Sequence, residues 1–294
     1  MSARGVLDGF RRAPFLATVT GLYLVWSLVP VLIAVLFSFN DGRSRTEWQG
    51  FSLRWYVGDP LRSVLHDDAL HTALLHTFRL GIIVTLVTVP LGTLLALGLD
   101  RWRGRVPAGA SFMVLLSFVL PEVLLAVSLL FVATTVNTYW STPVRLGTLG
   151  QVLGLVTFQL SYPVIIVRAR LLTIGRQYEE AAVDLGASPI GAVRRVLLPL
   201  AAPAILASSV LVFADVIDNF VIVRYLSGGS ATEPVSVKIY NTARAAPTPA
   251  LNAVASLVLL ASLLAVTLGF LAYRRLTRGE DTSASGIDVF TGEG

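Results

Sequence analysis

Long apolar runs, separated by short polar or basic stretches, set the pattern of this chain. Six of them approach the 20 or so residues that a helix needs to cross the hydrocarbon core of a bilayer. They are 14–37, 77–98, 109–135, 150–167, 202–223 and 251–273. The pattern predicts an all-α, polytopic membrane protein: six transmembrane helices in one domain over 1–278, then a tail over 279–294. That tail is rich in Ser, Gly, Thr and acids and reads as disordered. The first run follows Arg11 and Arg12, as a secretory signal would. Its apolar core exceeds the roughly 7–15 residues of such a signal, and no small-residue cleavage site follows. It reads as a retained helix. Pro30, Pro90, Gly92 and Pro121 fall inside runs, which membrane helices tolerate because neighbours satisfy the freed backbone groups. Gly81, Gly92 and Ala96 suit close helix packing.

Between the fourth and fifth runs the pattern changes. The segment 168–201 is polar and internally organised. "RQYEEAAVDL" reads as a short helix whose first-turn acids complement the helix dipole. Gly186 offers a stop, and Ser188-Pro189 offers a cap followed by proline at the first helical position. "IGAVRRVLL" reads as a second short helix that Pro199 breaks before the fifth span. Two short helices at a glycine-proline corner make a folded knob, more than a return crossing needs, and suggest docking onto a partner.

Charge orients the chain. Cytoplasmic segments of membrane proteins are enriched in Lys and Arg. With the N-terminus inside, the inner segments hold Arg4, Arg11 and Arg12; Arg101, Arg103 and Arg105; Arg168, Arg170, Arg176, Arg194 and Arg195; and Arg274, Arg275 and Arg278. The outer segments hold fewer basic residues, diluted in longer loops. Both termini and the 168–201 loop are then cytoplasmic, and Arg79 is left to snorkel near the outer end of the second span. The net charge of +5 is loop bias rather than a nucleic-acid footprint. Composition agrees: 54% of residues are hydrophobic and 14% charged, where a soluble domain carries about 25% charged residues.

Several chemistries are excluded. Without cysteine there is no disulfide, thiolate metal site or cysteine nucleophile. There is no GxxxxGK[ST] loop for nucleotide phosphates and no credible Ser/His/Asp arrangement. The three histidines lie in "HDDALHTALLH", which reads as the amphipathic start of the second span rather than a metal site. The outer loop 38–70, with Trp48, Trp55 and Tyr56, reads as an interface-lying segment.

The knob carries a longer motif: Glu180-Ala181-Ala182, three residues, Gly186, nine residues, Val196, one residue, Leu198-Pro199. This resembles the signature of the inner-membrane permeases of binding-protein-dependent ABC importers, with Val196 in place of isoleucine. "GFSLRWYVGD", "LPEVLLAVSLL", "AAVDLGASP", "DNFVIVRYLSGG" and "TPALNAVASLVLLASLL" extend the likeness over most of the chain and look like the spermidine/putrescine branch. The resemblance implies that the knob inserts into a groove on an ATPase subunit. Glu180 would meet a basic group there, Ala181 and Ala182 would allow close approach, and Gly186 would make the turn, with Leu198 and Pro199 completing the coupling motif. It implies a second permease, a different chain; an ABC ATPase dimer carrying the ATP and Mg, so that this chain holds no cofactor and is no enzyme; and an extracytoplasmic binding protein, which the outer loop 38–70 could touch. Location in a bacterial inner membrane follows. The branch often carries Asp-Asp where this chain has Asp218-Asn219, and an apolar residue where it has Asp215.

Acids inside the spans point to a path. Asp215 and Asp218 share one face of the fifth span, and Glu122 follows Pro121 midway along the third. A carboxylate at mid-bilayer costs about 2.5–3.5 kcal/mol on insertion scales, so these groups belong on a protein-lined or watered surface. The fourth span adds Gln159, Ser161 and Tyr162. Asp218, Asp215, Glu122, Asn219, Phe220 and Tyr162 are the candidate path for a small cation, with cation–π support from the two rings. The alternatives are that an acid pairs with a partner permease or, for Glu122, caps a broken helix. The substrate expected is a polyamine such as spermidine or putrescine. The same machinery with an aminophosphonate, an amino-acid derivative or a metal ion, or an ATP-independent secondary transporter, are the competing readings.

Overall fold

The computed structural model describes residues 14–44, 46–102, 104–139, 146–245 and 248–288. Arg4, Arg11, Arg12 and Arg103, used above for orientation, lie outside these residues, as does 289–294 of the tail. The chain divides into two compact units, Met1–His71 with Asn241–Leu257, and Thr72–Tyr240 with Val258–Gly294. Among the described residues, six helices are long and apolar enough to cross a membrane: Pro14–Phe37, Asp68–Arg101, Glu122–Tyr139, Thr148–Ile174, Pro189–Asp218 and Pro249–Arg275.

In the first unit, α1 (Pro14–Phe37) buries none of its residues. A helix apolar all round and bare within its own chain suits lipid or another subunit. The chain after it folds around Asn40. Its side-chain amide donates to the carbonyls of Ser44 (3.0 Å) and Glu47 (2.9 Å), while its Oδ1 accepts from the Gln49 N–H (2.7 Å). Trp55 is fully buried and its indole N–H donates to the Asn40 carbonyl at 2.7 Å. Asp59 binds Arg54 at 3.0 Å and accepts from the amides of Leu61 and Arg62. The segment expected to lie on the interface is therefore knotted on its own polar groups. Asp67 then accepts from the amides of Ala69 and Leu70, an N-cap that starts α2 (Asp68–Arg101) well before the expected 77.

In the second unit, Leu80, Val84, Leu155, Val212, Val216 and Ile222 form one core cluster, and Ala96, Val167, Leu171, Leu197 and Ala201 another. A Cβ at Gly92 would stand 2.4 Å from Cγ of Pro163, so only glycine permits the approach made there.

Several expectations change. The third span, read as one helix over 109–135, is two: α3 (Arg105–Val119) and α4 (Glu122–Tyr139). Proline disfavours a helical residue before it and lacks an N–H; Leu120 is accordingly extended, with φ −60° and ψ 135°. The fourth span runs from α5 (Thr148–Gln159) into α6 (Ser161–Ile174) through a helical Leu160. Beyond the knob's first helix, α7 (Gln177–Asp184), the short α8 (Pro189–Ala192) does not stop at Pro199. It passes through a π turn at Val193–Leu197 into α9 (Leu198–Asp218). The Leu198 N–H reaches back to the Val193 carbonyl, and this wider turn lets the helix carry a proline at its second position. The fifth span then breaks at Asn219-Phe220 and resumes as α10 (Val221–Tyr225), followed by α11 (Val235–Ala245). Finally α12 (Pro249–Asp288) continues through 279–288, where the sequence suggests disorder; once a helix exists, each added residue gains a hydrogen bond for the dihedrals it fixes.

Candidate functional site

Two broken helices meet through their polar residues. Pro121 ends the extended link after α3 and places Glu122 at the start of α4, where the helix dipole favours a carboxylate. Asn219 closes α9. Its amide donates in a close hydrogen bond to Oε1 of Glu122, and its Oδ1 accepts from the Ile222 N–H at 3.2 Å, capping α10. Its own carbonyl accepts from the Ser236 hydroxyl at 2.7 Å. A buried Asn219 thus joins α4, α9, α10 and α11. The helix-cap alternative for Glu122 and the path reading converge on one geometry, because the same carboxylate opens a helix and faces the neighbouring break.

A second acid lies one turn earlier on α9. Asp215 accepts a close hydrogen bond from the amide of Gln159, the last residue of α5. Tyr162 is within electrostatic reach of both Asp215 and Glu122. Its ring meets Phe118 edge-on at 5.5 Å between centroids, and Phe220 tilts against Tyr240 at 4.9 Å. Asp218, the last residue of α9, is exposed. So Glu122 and Asn219 are bonded directly, Asp215 is bonded to Gln159 instead, Tyr162 packs its ring on Phe118, Phe220 lies at the break, and Asp218 stands out from it. Gln159 and Ser236 belong to this arrangement and were not among the expected path residues.

Near the start of α2 a further polar joint forms. The His76 Nε2–H donates to Oε1 of the fully buried Gln151 at 2.8 Å, and the Gln151 amide donates to the carbonyls of Val223 (3.1 Å) and Thr232 (2.8 Å). A lone glutamine in an apolar run carries no periodic signal, which is why the sequence does not mark it.

The knob is built on α7 and its stop. The Ala187 N–H reaches the Ala182 carbonyl at 2.9 Å and the Gly186 N–H the Val183 carbonyl at 2.8 Å. This is a Schellman motif, which needs a left-handed residue at its turn; Gly186 supplies it with φ +90°. The Ser188 hydroxyl then accepts from the Gly191 N–H at 3.2 Å to start α8. Glu180 and Ala181 are exposed, Ala182 is half-buried, and Leu185 (89%) and Ile190 (79%) stand bare at the tip. At the base of α9, Leu198 is half-buried and Pro199 exposed. The other flank of α7 is latched to the end of α2. Arg101 pairs closely with Glu179, and Arg176 donates to the Asp100 carbonyl at 2.8 Å.

A family model described as "Binding-protein-dependent transport system inner membrane component" matches residues 88–281. The chain belongs to this family. Among curated relatives, the putrescine transport system permease protein PotI of Escherichia coli (strain K12) is 34% identical over 272 residues, covering 92% of this chain and 93% of that one. The spermidine/putrescine transport system permease protein PotC of the same strain is 31% identical over 260 residues, covering 88% and 94%. Among solved structures, a bacterial ABC transporter involved in import of the acidic polysaccharide alginate superposes with TM-score 0.71 at 16% identity, over 93% of this chain and 99% of that one. At that identity the likeness speaks for the fold. The chain is a multi-pass membrane protein of the permease family, and its curated relatives are transport subunits rather than enzymes.

Proposed function

We propose that this chain is one permease subunit of an ATP-driven importer, and that it forms, with a second and different permease, the path for a small organic cation of the polyamine class, such as putrescine or spermidine. The observation that carries the cation reading is the pair of carboxylates, Glu122 at one helix break and Asp215 one turn before the other, each held by a side-chain amide. Broken helices expose backbone ends and polar side chains where a continuous span would present only apolar surface, and binding sites of transporters are built this way. An amide neutralises no charge. Each acid is therefore left able to receive a cation while its hydrogen bonding is partly satisfied. Asp218, exposed at the end of α9, extends the acidic surface, and Phe220 and Tyr162 offer ring faces to a passing ammonium. The likeness to PotI and PotC favours a polyamine over other solutes.

Energy enters through the knob. ATP and Mg bind the partner ATPase dimer, and this chain holds neither. Glu180 offers an exposed acid, Leu185 and Ile190 offer an apolar tip, and Ala181 and Ala182 keep the face narrow enough for a groove. Gly186 fixes the angle between α7 and α8. Motion of the knob reaches α9 directly through the π turn and the Leu198-Pro199 stretch, and reaches α2 through Arg101–Glu179 and Arg176. The basic clusters favour a cytoplasmic position for this end and for both termini. An extracytoplasmic binding protein delivers the solute to the opposite face.

The test is putrescine uptake by vesicles holding the full importer, with and without ATP. ATP-dependent uptake that Glu122→Gln lowers several-fold, with the ATPase still bound, supports the reading. Uptake by this chain alone without any ATPase would place it among secondary transporters instead.

A further inference from the structure

Gln159 is fully buried, and only half of its amide is used. The NH2 end donates to Asp215. The Oε1 end has no hydrogen-bond partner among the described residues. Reversing the amide would set its oxygen against a carboxylate oxygen, so the charge of Asp215 fixes which end is left over. Buried carbonyls without partners are rare because they are expensive. Leucine or methionine would fill the same space without the penalty.

Resting on the cation-import reading above, we propose that Gln159 is a specificity-determining residue whose free Oε1, with the Asp215 carboxylate, receives two N–H groups of a primary ammonium. A primary ammonium offers three donors on a compact charge. One meets the Asp215 carboxylate and one meets the free Oε1 of Gln159. One carboxylate and one amide oxygen are too few for a hard metal ion, which takes six or more oxygen ligands. A tertiary ammonium has the same charge but a single N–H, and cannot satisfy both oxygens.

The test uses the permease–ATPase complex in nanodiscs without the binding protein, so that selection upstream does not mask selection here. Binding of putrescine is compared with that of N,N,N′,N′-tetramethylputrescine. The wild-type complex prefers putrescine by about tenfold, the worth of one hydrogen bond to a charged group. In Gln159→Met the preference falls to near unity, through loss of putrescine affinity and not of the methylated analogue. Gln159→Glu keeps an acceptor oxygen at this position and retains the preference. Because the readout is a ratio within one preparation, it does not depend on how much complex assembles. A Gln159→Met complex that keeps the wild-type preference, or weakens both ligands equally, overturns the assignment, as does a wild-type complex that binds no putrescine. If the intact importer still takes up putrescine in those cases, only the role of Gln159 falls; if it takes up none, the cation-import reading falls with it.

Discussion

Gly186 gives the sharpest handle on coupling. Its φ of +90° lies beyond the left-handed well of L-residues, yet a Cβ there would meet nothing within 4 Å. Substitution therefore tests backbone strain alone, free of any clash. An L-residue forced into a left-handed turn costs about 1–2 kcal/mol, which shifts the balance between formed and frayed turn by about 5- to 30-fold. Asn tolerates this region best after glycine, Ala less well, and β-branched Val least. The expected order for ATPase captured per permease, and for ATP-dependent putrescine uptake, is Gly > Asn > Ala > Val. Pull-down stoichiometry through a tag on this chain measures the first, and flux into vesicles the second. The melting temperature of the membrane region should not move, because the turn lies outside both core clusters. Equal capture and uptake for Gly186→Val and the wild type would refute the claim that this turn sets the docking angle.

Three further outcomes are expected. Asn219→Ala removes the amide that Glu122 uses and the cap of α10, leaving a part-buried carboxylate short of a partner; it should lower stability by about 1–3 kcal/mol, read as a melting temperature in detergent, whereas Glu122→Gln keeps the bond and should lower flux more than stability. Arg101→Glu should loosen the latch between α2 and α7, and the exchange Arg101→Glu with Glu179→Arg should restore it. For a half-exposed pair the stability change is within about 1 kcal/mol, so ATPase-driven flux is the readout. In the outer loop, the Leu61 amide first, then Arg54 and the Arg62 amide, hold Asp59 below the usual carboxylate range against the opposing effect of burial. A lowered folded value means that its contribution is present above the ordinary value of about 3.9 and is lost as pH falls through the folded one. Protection factors for hydrogen exchange at Leu61 and Arg62, with the intrinsic pH dependence of exchange divided out, should accordingly hold at pH 5 and fall only below about pH 4, and Asp59→Asn should remove that fall.

What could be read from the sequence follows from which signals are local. Apolar runs set the spans to within a few residues for α1, because that helix needs only length and a lipid-like surface. The knob is equally legible: Gly186 and Ser188-Pro189 act on their own neighbours, and the Schellman motif and N-cap form as those residues dictate. Pro199 misled because its effect is not local. Whether a proline ends a helix depends on how the preceding turn accommodates it, and the π turn at Val193–Leu197 has no composition of its own. The break at Asn219-Phe220 is hidden for a similar reason, since neither residue is a strong helix breaker. What holds it open is distant: Glu122, 97 residues away along the chain, takes the Asn219 amide, and Ser236 takes up its carbonyl.

That distance bears on why the breaks exist. A continuous third and fifth span would bury more apolar surface and satisfy every backbone group without help. The chain instead uses Pro121 to open one helix and Asn219 to hold the other, then joins the two openings through a single amide–carboxylate contact. An arrangement that served stability alone would have an apolar residue at each position, since replacing both partners of a buried polar pair is close to neutral. On the cation-import proposal, the acids are kept there because something positive visits them. An amide is the partner suited to that visit: it releases a carboxylate at the cost of a hydrogen bond, whereas an arginine would hold it with a full charge and close the site to cations. The same logic applies at Gln159 and Asp215, so Glu122 and Asp215 are each held by a side-chain amide from a different helix.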